Sequence, residues 1–257
     1  MNPQNSRLLR RVNRRSPAPT ITYRDQGGVE RTISIAEAAN VPFETCQPIR
    51  RIPRYENSRH TPGRYWSATT RTLIGYESYL ESKWMTLLDF DSEVAAFTGQ
   101  PFRIEGRDPG DVWSHTPDIF SRKVDGSVQL IDVKNPHRLD DSDVLLQARR
   151  TTALCQGLGW EYQLVGDMEP QRWENIYWLS AFRRPLQASA ELIPALLARA
   201  SKPISIRSLL GQMPVPDVAR PVMFHLCWRQ SLVFDLDEPL RQTTLVHTSE
   251  DCQEVAE

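Results

Sequence analysis

A turn of two residues, Asp125-Gly126, restricts the fold of this chain more than any other feature of its sequence. The segments of eight residues on either side of it have the composition of β-strands, and an Asp-Gly pair between two strands is a strong signal for a hairpin. Asp118 stands near the outer end of the first segment, and Asp132 and Lys134 stand at the outer end of the second. A hairpin would therefore bring two carboxylates and one ammonium group together.

Further helices and strands are predicted on both sides of this hairpin. Apolar residues recur at helical spacing through residues 76–90, and acidic residues suited to a helix start stand at the head of residues 140–157. The predicted elements, in chain order, are a hairpin over residues 20–35, a helix over 76–90, a strand over 94–104 that breaks near Gly99-Gln100-Pro101, the two strands of the central hairpin (117–124 and 127–134), a helix over 140–157, a strand over 160–166 and a helix over 170–182. This order predicts an α/β fold in which helices flank a mixed sheet.

The chain changes character after Arg183-Arg184-Pro185. Three helices followed by a small hairpin are predicted there, which is typical of a winged helix-turn-helix domain that binds either DNA or protein. The predicted third helix carries few basic residues. The pattern therefore indicates the winged-helix fold more strongly than a DNA-binding role for it. The predicted helices cover residues 189–200, 204–211 and 216–228, and the predicted strands cover 231–236 and 242–247. We divide the chain into a basic and partly disordered extension (1–62), a mixed-sheet domain (63–185) and a winged-helix domain with an acidic tail (186–257).

Charge is distributed unevenly along the chain, although its net charge is only −1. Residues 1–72 contain 13 Arg and five acidic residues, whereas residues 73–257 contain 18 basic and 27 acidic residues. A basic segment on an acidic body is a candidate arm for binding a polyanion, and a solvated leader explains the same composition as well. Arginine and aromatic residues between positions 36 and 70 suit phosphate contact and base stacking, or equally a loop packed on a domain surface.

The cysteines and the apolar runs indicate where such a protein would work. Cys46, Cys155, Cys227 and Cys252 lie far apart and show no paired spacing. They predict neither a zinc site nor a disulfide framework, so a reducing cytoplasm is the simplest location. No run approaches the roughly 20 apolar residues of a membrane span. We expect a cytoplasmic protein that makes no membrane contact.

Asp118, Asp132 and Lys134 have the chemistry that phosphodiester hydrolysis needs. Two carboxylates on neighbouring strands can hold one or two hard divalent cations through oxygen. Lys134 follows Asp132 by two residues and so projects from the same face of its strand. There its ammonium group would orient an attacking water or stabilise the charge of the transition state. The alternative is a solvent-facing Asp-X-Lys pair, but a purely structural strand would not need two charges at its end.

This chemistry also restricts the turn, because Asp118 must share a face of the sheet with Asp132. A two-residue loop would set Asp118 opposite Val133, on the wrong face. A three-residue loop, with Gly126 in the left-handed conformation of a bulged turn, would set Asp118 opposite Asp132. We therefore expect the three-residue loop or a compensating bulge.

The arrangement resembles that of the PD-(D/E)XK nuclease superfamily, and residues 63–185 are similar to the TnsA-like endonuclease subunits of heteromeric bacterial transposases. The segments that carry the resemblance are 75–81 (GYESYLE), 87–91 (LLDFD), 100–102 (QPF), 115–118 (HTPD), 132–134 (DVK), 160–162 (WEY) and 175–179 (NIYWL). The resemblance implies a restriction-endonuclease-like fold with Glu81, Asp118, Asp132 and Lys134 as catalytic residues. It implies Glu81, Asp118, Asp132 and Val133 as ligands of Mg²⁺, for which Mn²⁺ would substitute.

The resemblance further implies a substrate and partners. The protein would cut the non-transferred strand of double-stranded DNA near the 5′ ends of a transposon. A DDE-type transposase would cut and join the 3′ ends, and an ATPase regulator is a further candidate partner.

Two other functions remain open. A restriction or repair nuclease would use the same fold, and a non-catalytic DNA-binding adaptor would keep the fold with a decayed site. The intact set of site residues argues against the adaptor, and a transposase gene beside this one would separate the two nuclease functions. Within the site, Glu81 is favoured over Glu77, and His115 and His137 are interpreted as loop residues.

Overall fold

The computed structural model describes residues 18–50, 61–184 and 191–249. Strands and helices follow each other through most of this range. The strands are β1 (Thr20–Arg24), β2 (Glu30–Ser34), β3 (Gly63–Trp66), β4 (Leu73–Tyr76), β5 (Val94–Gly99), β6 (Phe102–Asp108), β7 (Asp111–His115), β8 (Ile119–Lys123), β9 (Val128–Val133), β10 (Glu161–Val165), β11 (Ile204–Ser205), β12 (Leu232–Val233) and β13 (Leu245–Thr248). The helices are α1 (Ile35–Ala38), α2 (Tyr79–Phe90), α3 (Ser142–Leu158), α4 (Pro170–Leu179), α5 (Leu192–Arg199), α6 (Ile206–Gly211) and α7 (Pro216–Trp228), with 3-10 turns at Phe43–Thr45, Pro136–Arg138 and Ser180–Phe182.

A four-stranded sheet in the order β10-β9-β8-β5 forms the centre of the fold. β9 is parallel to β10 and antiparallel to β8, and β8 is antiparallel to β5. Every residue of β9 is buried, because both faces of the sheet are covered. Ile131 shares a core cluster with Met85 of α2 on one face, whereas Leu130 shares another with Leu154 of α3. The predicted α/β architecture with a mixed sheet is confirmed.

The central hairpin has the register that a shared site requires. Ile119 pairs with Ile131, and the same register sets Asp118 opposite Asp132. Three residues form the loop, and the last of them, Gly126, has a left-handed φ of 87°. The prediction of a bulged three-residue loop is confirmed, and the two carboxylates share a face of the sheet.

A second sheet, in the order β2-β1-β6-β7, extends the fold on the side of α3. The predicted hairpin over residues 20–35 is confirmed, because β1 and β2 pair in antiparallel fashion. The predicted break in the strand over 94–104 is also confirmed, since Gln100 has a φ of 50° and separates β5 from β6. β7 was not predicted, because its sequence, Asp111–His115, has little apolar alternation.

Residues 18–50 belong to the same body as the central sheet, although they fall in the predicted extension. β1 pairs with β6, and the fully buried ring of Phe43 lies 4.5 Å from the ring of Phe102 and 5.7 Å from that of Phe120. This packing is non-local, which is why the composition of the segment does not reveal it. Residues 1–17 and 51–60 of the predicted extension lie outside the described residues.

β3 and β4 form a separate hairpin beside α2, where no strands were predicted. Its loop is anchored by Asp89, a buried carboxylate near the end of α2. Asp89 accepts hydrogen bonds from Ser67 Oγ at 2.7 Å and from the N–H groups of Ala68 and Thr69 at 2.8 Å. The hydroxyl of Tyr65 donates to the same carboxylate at 2.9 Å. The loop is therefore held in one position relative to α2.

The C-terminal part, residues 191–249, has the order helix, strand, helix, helix, strand, strand. The three predicted helices are confirmed as α5, α6 and α7, whereas β12 and β13 are shorter than predicted and β11 was not predicted. β13 lies between β11 and β12 in a three-stranded sheet. The ring of Trp228 in α7 lies 5.3 Å from that of Phe90 in α2, so this part packs on the rest of the chain. Residues 185–190 and the acidic tail from residue 250 onward lie outside the described residues.

None of the helices within the described ranges is long and apolar enough to cross a membrane. Cys46, Cys155 and Cys227 are free thiols. Cys252 lies outside the described residues.

Replacement of Gly126 by Ala is expected to destabilise the protein, because a Cβ atom disfavours the left-handed backbone at this position. None of the described residues has an atom within 4 Å of the position that the Cβ atom would occupy, so the change tests backbone conformation. We expect the free energy of unfolding, measured by urea denaturation, to fall by about 1 kcal/mol.

Gly157→Ala is the matched control, because Gly157 is exposed in α3 and its Cβ would also meet open space. It should stabilise the protein by up to about 1 kcal/mol, since Ala favours a helix over Gly. Equal effects of the two substitutions would contradict the assigned loop.

Candidate active site

Three of the four predicted catalytic residues, Asp118, Asp132 and Lys134, line a cleft of about 660 Å³ at the outer end of the central hairpin. Glu81, at the start of α2, lies close enough to Asp118 for the two charges to interact. The cleft is completed by polar side chains from three other elements, namely His115 of β7, Gln147 of α3 and Tyr162 of β10.

Asp118 and Lys134 form the centre of the site. Oδ2 of Asp118 accepts hydrogen bonds from the Val133 N–H at 2.8 Å and from Lys134 Nζ at 3.0 Å. Oδ1 of Asp118 has no hydrogen-bond partner among the described residues. Burial raises the pKa of Asp118, although the charge of Lys134 opposes this shift. Burial alone would lower the pKa of Lys134, but the charges of Asp118 and Asp132 outweigh it and raise that pKa, so the ammonium group keeps its proton.

Asp132 is only 2 % exposed and accepts three hydrogen bonds. His115 Nε2 and the Tyr162 hydroxyl both donate to Oδ2 at 2.7 Å, and the Asp118 N–H donates to Oδ1 at 3.2 Å. Burial alone would raise the pKa of Asp132, but the hydrogen bond and charge of His115, with the charge of Lys134, lower it. Asp132 is therefore ionised at neutral pH, and His115 is the donor in their hydrogen bond. Burial and the charge of Asp132 raise the pKa of Tyr162, so its hydroxyl remains a donor.

Glu81 lies in the first turn of α2 and caps that helix. Its N–H donates to Ser78 Oγ at 3.2 Å, and its carboxylate accepts from the Ser78 hydroxyl and from the Glu77 N–H, each at 2.9 Å. A serine at the cap with a glutamate three residues later is the capping-box pattern. Burial, followed by the charge of Asp118, raises the pKa of Glu81 to about 7. The side chain of Glu77 instead pairs with Arg50 at 2.7 Å.

The site holds more negative than positive charge. Three buried carboxylates, Glu81, Asp118 and Asp132, lie around one ammonium group, that of Lys134. Buried charge of one sign is unfavourable unless it is compensated, and carboxylate oxygens are the ligands that Mg²⁺ and Mn²⁺ prefer. The donor set therefore fits a hard divalent cation chemically, and Oδ1 of Asp118 offers one open lone pair. Within the described ranges, no three acidic, His or Cys side chains stand together as a ligand set, and Glu81 directs its carboxylate to its own helix end.

Two residues of the site were not assigned a role from the sequence. The interpretation of His115 as a loop residue is wrong, because it ends β7 and contacts Asp132. The parallel pairing of β10 with β9 explains why Tyr162 reaches Asp132. Leu164 is the partner of Asp132, and Tyr162, two residues earlier in β10, projects from the same face of the sheet. The alternation of strand faces would have identified Tyr162 once the parallel pairing was known. His137 is exposed in a 3-10 turn.

The arginines that line the cleft are engaged with acidic residues. Arg150 lies 2.6 Å from a carboxylate oxygen of Asp111, and Arg138 lies 2.9 Å from one of Asp141. Gln147, in contrast, has a buried side-chain nitrogen that has no hydrogen-bond partner among the described residues. The Gln147 amide is thus a better candidate for a ligand contact than the paired Arg150.

No protein-family model matches the chain, and no curated protein is significantly similar to it in sequence. The interpretation of the site rests on its residues and their geometry.

The raised pKa of Glu81 predicts how stability depends on pH in the metal-free protein. Folding raises this pKa from its ordinary value of 4.5 to about 7, so the unfolded chain loses the proton first and stability falls as the pH rises through this interval. Glu81→Gln cannot ionise, so it should lack this fall. We therefore compare the free energy of unfolding of Glu81→Gln with that of the parent at two pH values. The variant should gain on the order of 1–3 kcal/mol over the parent between about pH 5 and about pH 8.

The measurement is urea denaturation at both pH values in the presence of a chelator. Glu77→Gln is the matched control, since Glu77 lies four residues away but is partly exposed and pairs with Arg50. Identical pH profiles for the parent and Glu81→Gln would contradict the electrostatic description of the site.

Proposed function

We propose that the protein is a metal-dependent DNA endonuclease that hydrolyses phosphodiester bonds with Glu81, Asp118, Asp132 and Lys134. The observation that carries this proposal is that Lys134 and two buried carboxylates, those of Asp118 and Asp132, line an open cleft, with the buried carboxylate of Glu81 beside it. A structural ion pair needs one carboxylate for one ammonium group, and each further buried carboxylate lowers stability. Strongly shifted carboxyl groups in a cleft are typical of functional sites.

The residues that would hold Mg²⁺, or Mn²⁺ in its place, are Asp118, Asp132, Glu81 and the carbonyl group of Val133. A bound ion of this kind supplies an activated water and neutralises the charge of the phosphate. Oδ1 of Asp118 is open for such a contact, and the pKa of Glu81, near 7, allows it to lose its proton at neutral pH.

Lys134 would act as a donor at the scissile phosphate. Its raised pKa keeps the group protonated, so it donates hydrogen bonds and does not act as a base. Its hydrogen bond with Asp118 fixes the ammonium group at the wall of the cleft. There it can hold a phosphate oxygen or the attacking water and stabilise the negative charge that develops.

The charges of the chain favour a nuclease that works with a partner. Residues 73–257 are acidic overall, and the cleft arginines Arg138 and Arg150 are paired with carboxylates. Because few free positive charges remain for the phosphates, the cleft alone would bind DNA weakly. The resemblance to TnsA-like subunits supplies a partner of the required kind. We propose that the protein cuts the non-transferred strand at transposon ends in the bacterial cytoplasm, together with a DDE-type transposase and, as a further partner, an ATPase regulator.

The C-terminal part supports a winged helix-turn-helix domain within this proposal. The observations that support this assignment are its element order and the position of β13 between β11 and β12. Eight residues of α7 are buried, and its exposed surface carries few basic groups. This composition favours a protein partner over DNA as the ligand of the proposed domain.

Asp118→Asn, Asp132→Asn and Lys134→Ala should each reduce strand cleavage by at least about 100-fold, because each removes a ligand or a charge at the reacting phosphate. The measurement is a nicking assay on transposon-end DNA with Mg²⁺ or Mn²⁺, with and without a DDE-type transposase.

Asp140→Asn is the matched control, because it removes the same charge from an exposed residue ahead of α3 and should leave cleavage unchanged. Cleavage by Asp118→Asn and Asp132→Asn at the parent rate would refute the site. Rapid digestion of any duplex by the isolated protein would instead favour a restriction or repair nuclease.

A further inference from the structure

Two adjoining concavities of about 530 and 650 Å³ lie beside the β3–β4 hairpin, and both are lined by Trp66 and Arg183. No carboxylate lines either of them within the described part of the chain. The arginines that line them are Arg64, Arg71, Arg183, Arg184 and Arg229, and we call this set the arginine surface. Among the described residues, none of the five has an acidic group within 4 Å, in contrast to the arginines of the active-site cleft.

Aromatic rings order part of the arginine surface. The guanidinium group of Arg184 lies 4.5 Å from the ring of Trp66, and that of Arg183 lies 5.7 Å from the same ring and 5.6 Å from the ring of Tyr65. Arg183 also donates to the Ser180 carbonyl at 2.7 Å, while its buried Nε has no hydrogen-bond partner among the described residues. Stacked guanidinium groups are fixed in position and keep N–H donors free, which is the arrangement that recognises phosphate.

Arg71 gives a second, independent indication of a ligand. It lies exposed in the β3–β4 loop with a φ of 56°, in the left-handed region that costs a residue with a Cβ about 1–2 kcal/mol. Glycine would relieve this cost. The hydrogen bonds of Asp89 hold the preceding part of the loop, from Ser67 to Thr69, and Arg71 lines the same concavity as Trp66. Strain at an exposed charged residue is typical of a binding position.

We propose that the arginine surface binds the phosphate backbone of duplex DNA to one side of the cleavage site. The choice of DNA as the polyanion rests on the proposed nuclease function. The contact would not read sequence, because its donors are guanidinium groups stacked on Trp66 and Tyr65, and phosphate contacts position a protein without specifying bases.

α2 relates the arginine surface to the active site. Glu81 stands in the first turn of this helix, Ser82 and Thr86 line one of the two concavities, and Asp89 near the helix end anchors the loop of Arg71. Eight residues of helix span about 12 Å, which is much less than one turn of duplex, about 34 Å. The arginine surface and Glu81 are therefore separated, along this helix, by less than one turn of duplex.

The test is a DNA-binding titration of the full chain at several salt concentrations, without divalent metal. The probe is a fluorescein-labelled duplex of about 30 base pairs and arbitrary sequence. The variant combines Arg71→Gln, Arg184→Gln and Arg229→Gln. The control combines Arg31→Gln, Lys123→Gln and Arg172→Gln, which removes the same charge from residues paired with carboxylates.

The variant should bind at least about tenfold more weakly near 0.1 M salt, and the slope of log K against log salt should shrink by about 2 to 3, since each lost phosphate contact contributes about 0.9. The control should keep the parent slope. An unchanged slope in the variant, or equal losses in variant and control, would overturn the proposal. Both proteins must show the parent's urea denaturation curve, so that a loss of binding reports on the surface.

A labelled single strand of the same length is the second probe, because exposed aromatic rings can stack on the bases of single-stranded DNA. Tyr79 and Tyr177 have exposed side chains and line the smaller of the two concavities. Tighter binding of the single strand, lost in the variant, would overturn the assignment to duplex. The nuclease proposal is tested separately by cleavage. If the parent binds duplex DNA in a salt-dependent manner that the variant loses but does not cleave it, the arginine surface is supported and the nuclease proposal is contradicted. If the parent cleaves DNA but the variant keeps the parent's salt slope, the nuclease proposal is supported and the arginine surface is contradicted.

Discussion

The candidate site depends on the number of residues in the loop of one hairpin. The three-residue loop that ends at Gly126 sets Asp118 opposite Asp132, and a loop one residue shorter would turn Asp118 to the other face. Two hydrogen bonds between the strands then fix the carboxylates: the Val133 N–H donates to Asp118, and the Asp118 N–H donates to Asp132. The backbone thus holds both acids before any ligand is bound.

Different surroundings give the neighbouring carboxyl groups different protonation behaviour. Asp132 accepts hydrogen bonds from His115 and Tyr162, which stabilise its charge and lower its pKa despite burial. For Glu81, burial and the charge of Asp118 outweigh the bonds from its own helix end and raise the pKa to about 7. Asp132 is therefore charged at neutral pH, whereas Glu81 exchanges its proton near neutral pH. A cation entering the site would favour the ionised form of both.

Local patterns predicted the central features of the fold, and non-local pairing accounts for most of what was missed. The Asp-Gly turn and strand alternation are local signals, and they predicted the hairpin. Its register was predicted from the requirement that Asp118 and Asp132 share one site. β7 and the pairing of β1 with β6 depend on distant partners, which left the contact of His115 with Asp132 unforeseen. Helical periodicity placed the start of α2 at residue 76, but the Ser78 cap begins the helix at Tyr79. That cap also determines where Glu81 directs its carboxylate, and the spacing of Ser78 and Glu81 is the sequence signal that could have shown it.

The central claim is that this arrangement of acids is built for a divalent cation, and Mn²⁺ binding tests it most directly. The free Mn²⁺ signal in electron paramagnetic resonance can be titrated with the metal-free protein, without DNA and without any assay of cleavage. We predict that the parent removes Mn²⁺ from solution and that Asp118→Asn does not. The affinity of the parent should also fall as the pH drops below about 7, because protonation of Glu81 competes with the ion. Equal Mn²⁺ binding by the parent and Asp118→Asn would contradict the account.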